Sequence, residues 1–594
     1  MQAIILHSIE DAEDCFKKKL FENAILFSTH SSVDVYLQEK FGIHCQCLSK
    51  FLSIAEIDAI NYHSAKRVDV LLGALDEKIA PLINSHLDFN MNYFAPLYSY
   101  LGKHHYFNCM IFIKCIEALI KKYGLLSIYC YNTKLNGILN IEASVSCLFP
   151  LRNHLISIRI IESPQKRMTA GESIRKLCDL SKLVLFNPLI ANKIIQDRLL
   201  NLKKWKFDAG KKNIFLQEPL YDLAFLRKHS NKYNFILNRN NNKIDWVGRV
   251  VRQDQVDINI NSSDFDIGSV SHDPVDKVFL KHLEEDFLRH LPDYAYYLKG
   301  LKSLTAQVPL SQGIWGLPPV AGLTALIFEF LRSQNITVIG SQHGCTYGES
   351  YAPWHFDSDF NRCDYFISYG FTEADLSRVY PERQIHTRIV PAGSVVNMKN
   401  HAFKKPIDIL FPITNSMSIF EGGMARIPPD QLTARQVALL EYLNTLQHLT
   451  VYIKPFRFSN YKNCSILPVL KRCRNLRVVS HLKLEEFLTK YQPRAVLMEL
   501  PSTPLFETLH LDAEIFLMDN PLRPFERQAL EELIKRVYYA EDSETMISWL
   551  DLFVNGKLPK KRDNTFFNHY VYKKNQEETI IRLIDTLLQG QNGI

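Results

Sequence analysis

The chain has 594 residues, which is too long for a single hydrophobic core and predicts two to four domains. Hydrophobic residues make up 46% and charged residues 22% of the sequence, which is ordinary for a globular protein. The net charge of +7 is small for this length and argues against a dedicated nucleic-acid-binding protein. A short basic run at residues 557–562 fits either contact with anionic lipid or a solvated loop.

The cysteines and the apolar runs indicate the cellular compartment in which the protein works. Twelve cysteines include no CxxC pair and no disulfide framework, which indicates reduced thiols. The N-terminus turns acidic after a short apolar stretch and does not look like a signal peptide. The longest apolar run, residues 320–331, is too short to span a bilayer. We expect a cytoplasmic protein, with peripheral contact at the inner face of the cytoplasmic membrane left open.

Residues 1–130 alternate strand and helix patterns. Ser31–Phe41 reads as a helix that begins at the candidate caps Ser31 and Ser32 and stops at Gly42. The remaining predictions are strands at residues 4–6, 24–28, 44–48 and 125–131 and a helix at 106–123. This alternation predicts a parallel sheet. Residues 150–270 are less regular and are interpreted as an insertion without an assigned function.

The pattern becomes regular again after residue 270. Val275–Leu291 predicts an amphipathic helix, and Pro292 is expected to begin another. A strand and turn at 311–316, an apolar helix at 318–331 and a strand at 336–339 then form a β-α-β unit.

The second half of the chain predicts a doubly wound domain. Residues 391–405 are interpreted as an interdomain linker. Beyond them, strand patterns alternate with helix patterns at residues 407–411, 433–446, 450–453, 477–479, 484–491 and 495–498. The predicted domains are residues 1–395, 396–565 and a C-terminal helix within 566–594.

A cluster of polar residues follows the strand at 336–339. Ligands bind at the carboxyl ends of strands in open α/β sheets, and this is where His343 would lie. The cluster contains Gln342, His343, Gly344, Tyr347, Glu349, His355, Asp357 and Asp359. A polar surface loop is the alternative interpretation, but the density of the cluster favours a site.

This stretch resembles a known group of enzymes. Gln342-His343-Gly344-x-x-Tyr347-Gly348-Glu349 is similar to the QHGG-x-Y-G type motif of bacterial surface-carbohydrate biosynthesis transferases. That group is similar in layout to capsule Kdo transferases and CDP-glycerol glycerophosphotransferases. The resemblance implies an α/β protein of GT-B type, with two Rossmann-like domains facing a cleft and a C-terminal helix that crosses back to the first domain. Cys345 departs from the motif, because a second glycine is usual there.

A second candidate site lies in the C-terminal half. Thr503 followed by Pro504 predicts a helix start, and free N–H groups at such a start can bind phosphate. The predicted donor-binding residues are Ser502, Thr503 and Glu507, the cations Lys454 and Arg457, and the turn residues Asn415 and Ser416. A capped helix and a solvated basic turn are the plain structural alternatives.

For chemistry, His343 is the leading general base, because an imidazole titrates near neutral pH. Glu349, Asp357 and Asp359 are alternatives or could orient the histidine, while Gln342, Gly344 and Tyr347 would shape the acceptor loop. We expect no metal and no cofactor, the nucleotide-sugar being a substrate.

The resemblance implies a glycosyltransferase that moves a sugar from a CMP-ulosonic acid such as CMP-Kdo, or from another nucleotide-sugar, to a bacterial surface polysaccharide or lipid-linked glycan. Glycerophosphate or polyol-phosphate transfer from a CDP-linked donor, and a non-catalytic glycan-binding scaffold, are the alternatives. The sequence does not indicate the sugar, the linkage or the oligomeric state.

Overall fold

The computed structural model describes residues 2–132, 148, 157–162, 210–217, 223–238, 269–314, 322–352, 356, 359–394, 405–414, 419, 427–455 and 466–590. Within these ranges the strands form three sheets, and every strand pairing is parallel. The α/β prediction is confirmed.

The first sheet has five strands in the order β3-β2-β1-β4-β5. Its elements are β1 Gln2–Leu6, α1 Ile9–Lys17, β2 Ala24–Ser28, α2 Ser31–Phe41, β3 Gln46–Cys47, α3 Ile54–Leu87, α4 Phe94–Tyr123, β4 Ser127–Tyr131 and β5 Ser157–Ile161. Helix α2 has the predicted bounds, but the predicted caps are wrong. The cap residue is His30, whose ring accepts a hydrogen bond of 2.9 Å from the Ser32 N–H.

The second sheet has six strands in the order β11-β10-β9-β8-β6-β7. Its elements are β6 Lys212–Gln217, β7 Tyr233–Asn238, α5 Pro274–Gln307, β8 Gln312–Ile314, α6 Gly322–Ser333, β9 Thr337–Ser341, β10 Tyr365–Ser368, α7 Glu373–Val379 and β11 Arg388–Pro391. Counted along the chain this is the order 2-1-3-4-5 of flavodoxin-like sheets with one further strand.

Helix α5 corrects one prediction, because Pro292 lies inside it and does not begin a new helix. A proline removes one backbone hydrogen bond of the helix, at a cost of about 3 kcal/mol. Phe287, Leu291 and Leu298 are buried on both sides of Pro292, and their packing keeps the helix continuous.

The third sheet has six strands in the order β14-β13-β12-β15-β16-β17. Its elements are β12 Lys405–Ile413, α8 Pro429–Thr445, β13 Val451–Pro455, α9 Leu467–Arg472, β14 Leu476–Val478, α10 Leu484–Lys490, β15 Tyr491–Met498, α11 Thr503–Thr508, β16 Glu514–Met518, α12 Arg527–Leu533, β17 Val537–Ala540 and α13 Ser543–Val554. This is the Rossmann order 3-2-1-4-5-6, which changes direction between β12 and β15.

The chain ends with α14 Thr565–Tyr570 and α15 Gln576–Gly590. Helix α15 returns to the second sheet, where Ile580, Ile584 and Leu588 share a core with strand residues Ile214, Ile339 and Ile367. The Tyr233 hydroxyl donates to Asp585 at 2.6 Å on the same face. The predicted crossing of the last helix is therefore confirmed.

The second and third sheets are the two Rossmann-like halves expected from the sequence. The strands before residue 395 form two sheets, one more than a single N-terminal domain would contain. The three domain boundaries stay predictions. No helix in the described ranges is both long and apolar enough to cross a bilayer.

Candidate functional site

The turn after β9 is held by the buried side chain of Gln342. Its backbone N–H donates to Ile367 O at 2.9 Å, and its Nε2 donates to Gly344 O at 2.6 Å. Its Oε1 accepts from the Tyr369 N–H at 2.7 Å. Gln342 thus joins the ends of β9 and β10 and shapes the His343–Gly344 turn, while its predicted place in an acceptor loop stays a prediction.

Glu349 closes the other end of the same loop. Its carboxylate accepts from the Tyr347 N–H at 3.1 Å and from the Thr346 N–H, and the side chain is buried. Burial raises the pKa of Glu349 to about 7, although hydrogen bonds from the backbone act in the opposite direction. These contacts account for the loop's shape, and the catalytic role predicted for Glu349 stays a prediction.

His343 is half-buried and lies next to the buried Tyr347. The two rings meet edge to face with centroids 5.6 Å apart, and Nδ1 of His343 is hydrogen-bonded to Oη of Tyr347. His343 is therefore the side chain of this pair that reaches the surface of the second sheet's carboxyl edge.

The second candidate site lies at the carboxyl edge of the third sheet, where the strand order reverses between β12 and β15. Glu499 follows β15 directly and is buried; its Oε1 accepts from the Thr414 N–H at 2.5 Å and from Gln436 Nε2 at 3.2 Å. Burial raises the pKa of Glu499 to about 7 against these hydrogen bonds. Our sequence analysis did not single out Glu499, although an acidic residue immediately after a buried strand was a usable signal.

Three of the predicted donor residues, Ser502, Thr503 and Glu507, follow Glu499 within eight positions of the chain. The helix start is one residue earlier than predicted: Ser502 is the cap and Thr503 the first residue of α11. Thr503 is exposed and Glu507 is partly exposed. Because α11 has only six residues, its dipole is a weak basis for phosphate binding.

Lys454 occupies the carboxyl end of β13, the neighbour of β12. It is 6% exposed, and its Nζ donates to Pro455 O at 3.3 Å. A cation so close to the switch point is suitably placed for an anionic ligand. Asp357, Asn415, Ser416 and Arg457, which complete the predicted set, lie outside the described residues.

The two sites meet. A Cβ on Gly344 would lie 2.9 Å from Oγ1 of Thr503, so the His343–Gly344 turn touches the start of α11. Arg523 donates from Nη1 to Thr346 Oγ1 at 3.3 Å. The sequence predicted that the two loops share one cleft but gave no signal for Arg523.

Backbone contacts fix this approach. The Glu526 N–H donates to Glu349 O at 2.8 Å, and the Tyr351 N–H donates to Pro524 O at 3.2 Å. An isolated antiparallel bridge joins Ser350 to Phe525. The loop of the second sheet is thus attached to the third-sheet domain beside the site.

The first sheet also adjoins the third. Oγ of Ser31 and Oγ1 of Thr433 are 2.7 Å apart, and the Ile419 N–H donates to Thr29 O at 2.9 Å. Thr29 and Ser31 follow β2, so the carboxyl edge of this sheet borders the same domain. Among the described residues, no group of histidine, cysteine or acidic side chains could hold a metal ion.

Two parallel α/β sheets, one of them in Rossmann order, place polar loops at facing carboxyl edges, an arrangement that is compatible with a two-domain group-transfer enzyme. Residues 79–535 match the family described as LIC12162 family transferase. Because the match spans more than half of the chain, the chain belongs to this transferase family. The prediction of a transferase is confirmed. No curated protein matches the chain.

Solved structures provide a comparison of fold. The Methanocaldococcus jannaschii UDP-GlcNAc 2-epimerase, solved with UDP-GlcNAc and UDP, is 12% identical with a TM-score of 0.38, over 63% of this chain and 99% of its own. Acinetobacter baumannii MurG is 11% identical with a TM-score of 0.34, over 63% and 99%. Phytolacca americana UGT2, solved with UDP-2fluoro-glucose and pterostilbene, is 8% identical with a TM-score of 0.36, over 64% and 100%. At these values the likeness supports no statement about substrates.

Proposed function

We propose that the chain is a glycosyltransferase that transfers a sugar from a nucleotide-activated donor to a growing bacterial surface polysaccharide or lipopolysaccharide. The contact between the Gly344 turn and Thr503 carries the proposal, because it brings the candidate base within reach of the switch point of a Rossmann-order sheet. Direct transfer requires such closeness, since the reacting atoms must approach to about 3–3.5 Å.

The donor binds in the third-sheet domain. Its phosphate lies at the carboxyl ends of β12, β13 and β15, where Lys454 supplies a positive charge and Ser502 and Thr503 supply hydroxyl donors. Because Glu499 has a raised pKa of about 7, it is largely protonated in mildly acidic solution and about half protonated at neutral pH, which reduces its repulsion of the phosphate. Charge neutralisation by Lys454 is the reason to propose that transfer needs no metal.

The acceptor hydroxyl lies on the second-sheet side, against His343. As its oxygen bonds to the anomeric carbon, its proton moves to the His343 ring and the bond from that carbon to the phosphate oxygen breaks. The nucleotide then leaves with the bonding electrons, and Lys454 stabilises the charge that develops. Gln342 and Glu349 keep the loop in place during this step.

The same arrangement suits a second candidate. Polyol-phosphate transfer from a CDP-linked donor needs a base and a phosphate site in the same positions, with attack at phosphorus. Capsule Kdo transferases, which this chain resembles, have His-Pro at a comparable place where it has Lys454-Pro455, and this departure weakens the case for a CMP-activated donor without excluding it. The proposed location is the cytoplasm, with the acceptor presented at the inner face of the membrane.

A donor panel tests the proposal. The purified protein is incubated separately with CMP-Kdo, UDP-GlcNAc and CDP-glycerol and with a bacterial envelope glycolipid fraction, and the released nucleotide is measured. We expect release from a sugar donor, with the sugar recovered on the glycolipid. Release from CDP-glycerol alone would support polyol-phosphate transfer, and nucleotide binding without release from any donor would indicate a non-catalytic protein.

A further inference from the structure

Two buried polar side chains, those of Tyr347 and Asp359, lie next to His343 in a connected series. Tyr347 and Asp359 are both 0% exposed, so neither contacts solvent. The Tyr347 ring is enclosed by aromatic rings at centroid distances of 6.0, 5.8 and 6.5 Å, those of Phe360, Phe366 and Phe371. This packing fixes the phenol group, and Oη has a defined position relative to the imidazole.

The Tyr347 hydroxyl makes hydrogen bonds in two directions. It is bonded to Nδ1 of His343 and to the side chain of Asp359. Burial raises the pKa of Tyr347 well above its ordinary value, and the charge of Asp359 and the hydrogen bond to it act in the same direction. The phenol therefore keeps its proton at every pH at which the enzyme would work.

The protons carried by Asp359, Tyr347 and His343 determine which group donates in each hydrogen bond. An ionised carboxylate only accepts hydrogen bonds, and a phenol has a single hydrogen to give. With Asp359 ionised, Tyr347 donates to Asp359, and its oxygen accepts from the Nδ1–H of His343. The neutral imidazole carries its one proton on Nδ1, which leaves Nε2 unprotonated.

We propose that Asp359 is ionised in the folded protein, and that Tyr347 and Asp359 are positioning residues that hold His343 in the Nδ1–H tautomer, with Nε2 as the atom that accepts the proton of the acceptor hydroxyl. The inference rests on the proposed function, in which His343 is the base. No proton moves along Tyr347: the acceptor proton goes to Nε2, and the imidazolium keeps its Nδ1–H bond to the phenol oxygen. Asp359 stabilises this cation through the phenol.

Asp359→Asn tests the direction of the hydrogen bonds that join Asp359, Tyr347 and His343. The asparagine amide can donate to the Tyr347 oxygen, and the phenol hydrogen is then free to turn towards His343. Nδ1 becomes an acceptor and the proton moves to Nε2, so the base is blocked. Adding Tyr347→Phe to this variant removes the donating phenol and should remove the block.

The tautomer is measured directly, without any substrate. The protein is labelled with [15N]histidine, and the His343 signal is identified by its loss in His343→Ala. At a pH where the ring is neutral, we expect protonated Nδ1 in the wild type, protonated Nε2 in Asp359→Asn, and a mixture in Tyr347→Phe. A wild-type His343 protonated on Nε2 would overturn the proposal, as would a tautomer that Asp359→Asn does not change.

Turnover with the donor that is active in the panel gives a second readout. Tyr347→Phe should lower kcat about 10- to 100-fold, since it removes a hydrogen bond to a charged group, with the donor KM unchanged. Asp359→Asn should lower kcat further, and the double variant should return to the level of Tyr347→Phe alone. Tyr98→Phe is the matched control, because this buried hydroxyl on α4 donates to a carboxylate in the same way, to Asp286 on α5 at 2.8 Å.

If the role of these residues is purely structural, the losses in kcat of Tyr347→Phe and Asp359→Asn should add in the double variant, and all three variants should have lower melting temperatures. That result would overturn the proposal. If the tautomers behave as expected but His343→Ala keeps its turnover, the base assignment fails while the positioning stands. If the tautomers do not change and His343→Ala is inactive, the positioning fails and the base assignment stands.

Discussion

The buried carboxyl of Glu499 predicts an unusual dependence of stability on pH. A carboxyl whose pKa is raised in the folded state is destabilising once it ionises, because the unfolded chain gives up the proton at lower pH. The destabilisation therefore develops as the pH rises from about 4.5 to about 7 and stays constant above that. The shift of the pKa from 4.5 to about 7 corresponds to about 3 kcal/mol.

Glu499→Gln removes the ionisation and keeps the shape. The amide oxygen can still accept from the Thr414 N–H and from Gln436, and the amide replaces a protonated carboxyl of the same size. The variant should match the wild type at pH 5 and exceed it in stability at pH 8.5 by about 3 kcal/mol. For a domain of this size, that difference corresponds to a rise in Tm of roughly 6–12 °C.

Differential scanning calorimetry at pH 5 and pH 8.5 measures the difference. Glu541→Gln is the matched control, because this glutamate is exposed in the same domain and its replacement should have the same small effect at both pH values. A Glu499→Gln protein with the same Tm difference from wild type at both pH values would refute the raised pKa. A Glu499→Gln protein whose Tm, relative to the wild type, is lower at pH 8.5 than at pH 5 would also refute the raised pKa of Glu499.

Three further changes test other parts of the structure. Lys454→Ala should weaken nucleotide binding about 10- to 150-fold in calorimetric titration by removing a charge-assisted phosphate contact, whereas Lys103→Ala, a buried lysine on α4, should lower Tm and leave nucleotide affinity unchanged. Gly344→Ala should lower turnover roughly 10- to 100-fold in the donor assay, because the new Cβ would meet Thr503 at 2.9 Å and displace the turn; normal turnover would show that this contact is not needed. Ile584→Ala should destabilise the protein by about 2–5 kcal/mol in thermal unfolding, since Ile584 is fully buried between α15 and the second sheet; an unchanged Tm would contradict that packing.

Local patterns in the sequence predicted most of the elements. The bounds of α2 and the strand that leads to His343 follow from apolar periodicity and from stop residues such as Gly42. Pro292 misled the prediction because its local effect on a helix is outweighed by tertiary packing on both sides. Periodicity also cannot assign strands to sheets, so the separation of the first sheet from the second was not foreseen.

The candidate site was predictable in its parts and not in its assembly. A histidine after a buried strand is visible in the sequence, as is a serine-threonine-proline turn after another. The contact of Gly344 with Thr503 joins residues far apart in the chain and depends on how the sheets are placed. The buried bonds of Tyr347 are likewise a consequence of the tertiary fold.

The role of His343 is the central claim, and one comparison tests it most directly. His343→Ala is compared with the wild type in kcat, with the active donor of the panel, and in nucleotide affinity and Tm. A base should contribute about 10²–10⁴-fold, so we predict a fall in kcat of at least about 100-fold with nucleotide affinity and Tm nearly unchanged. A stable His343→Ala protein with near-normal kcat would contradict the account.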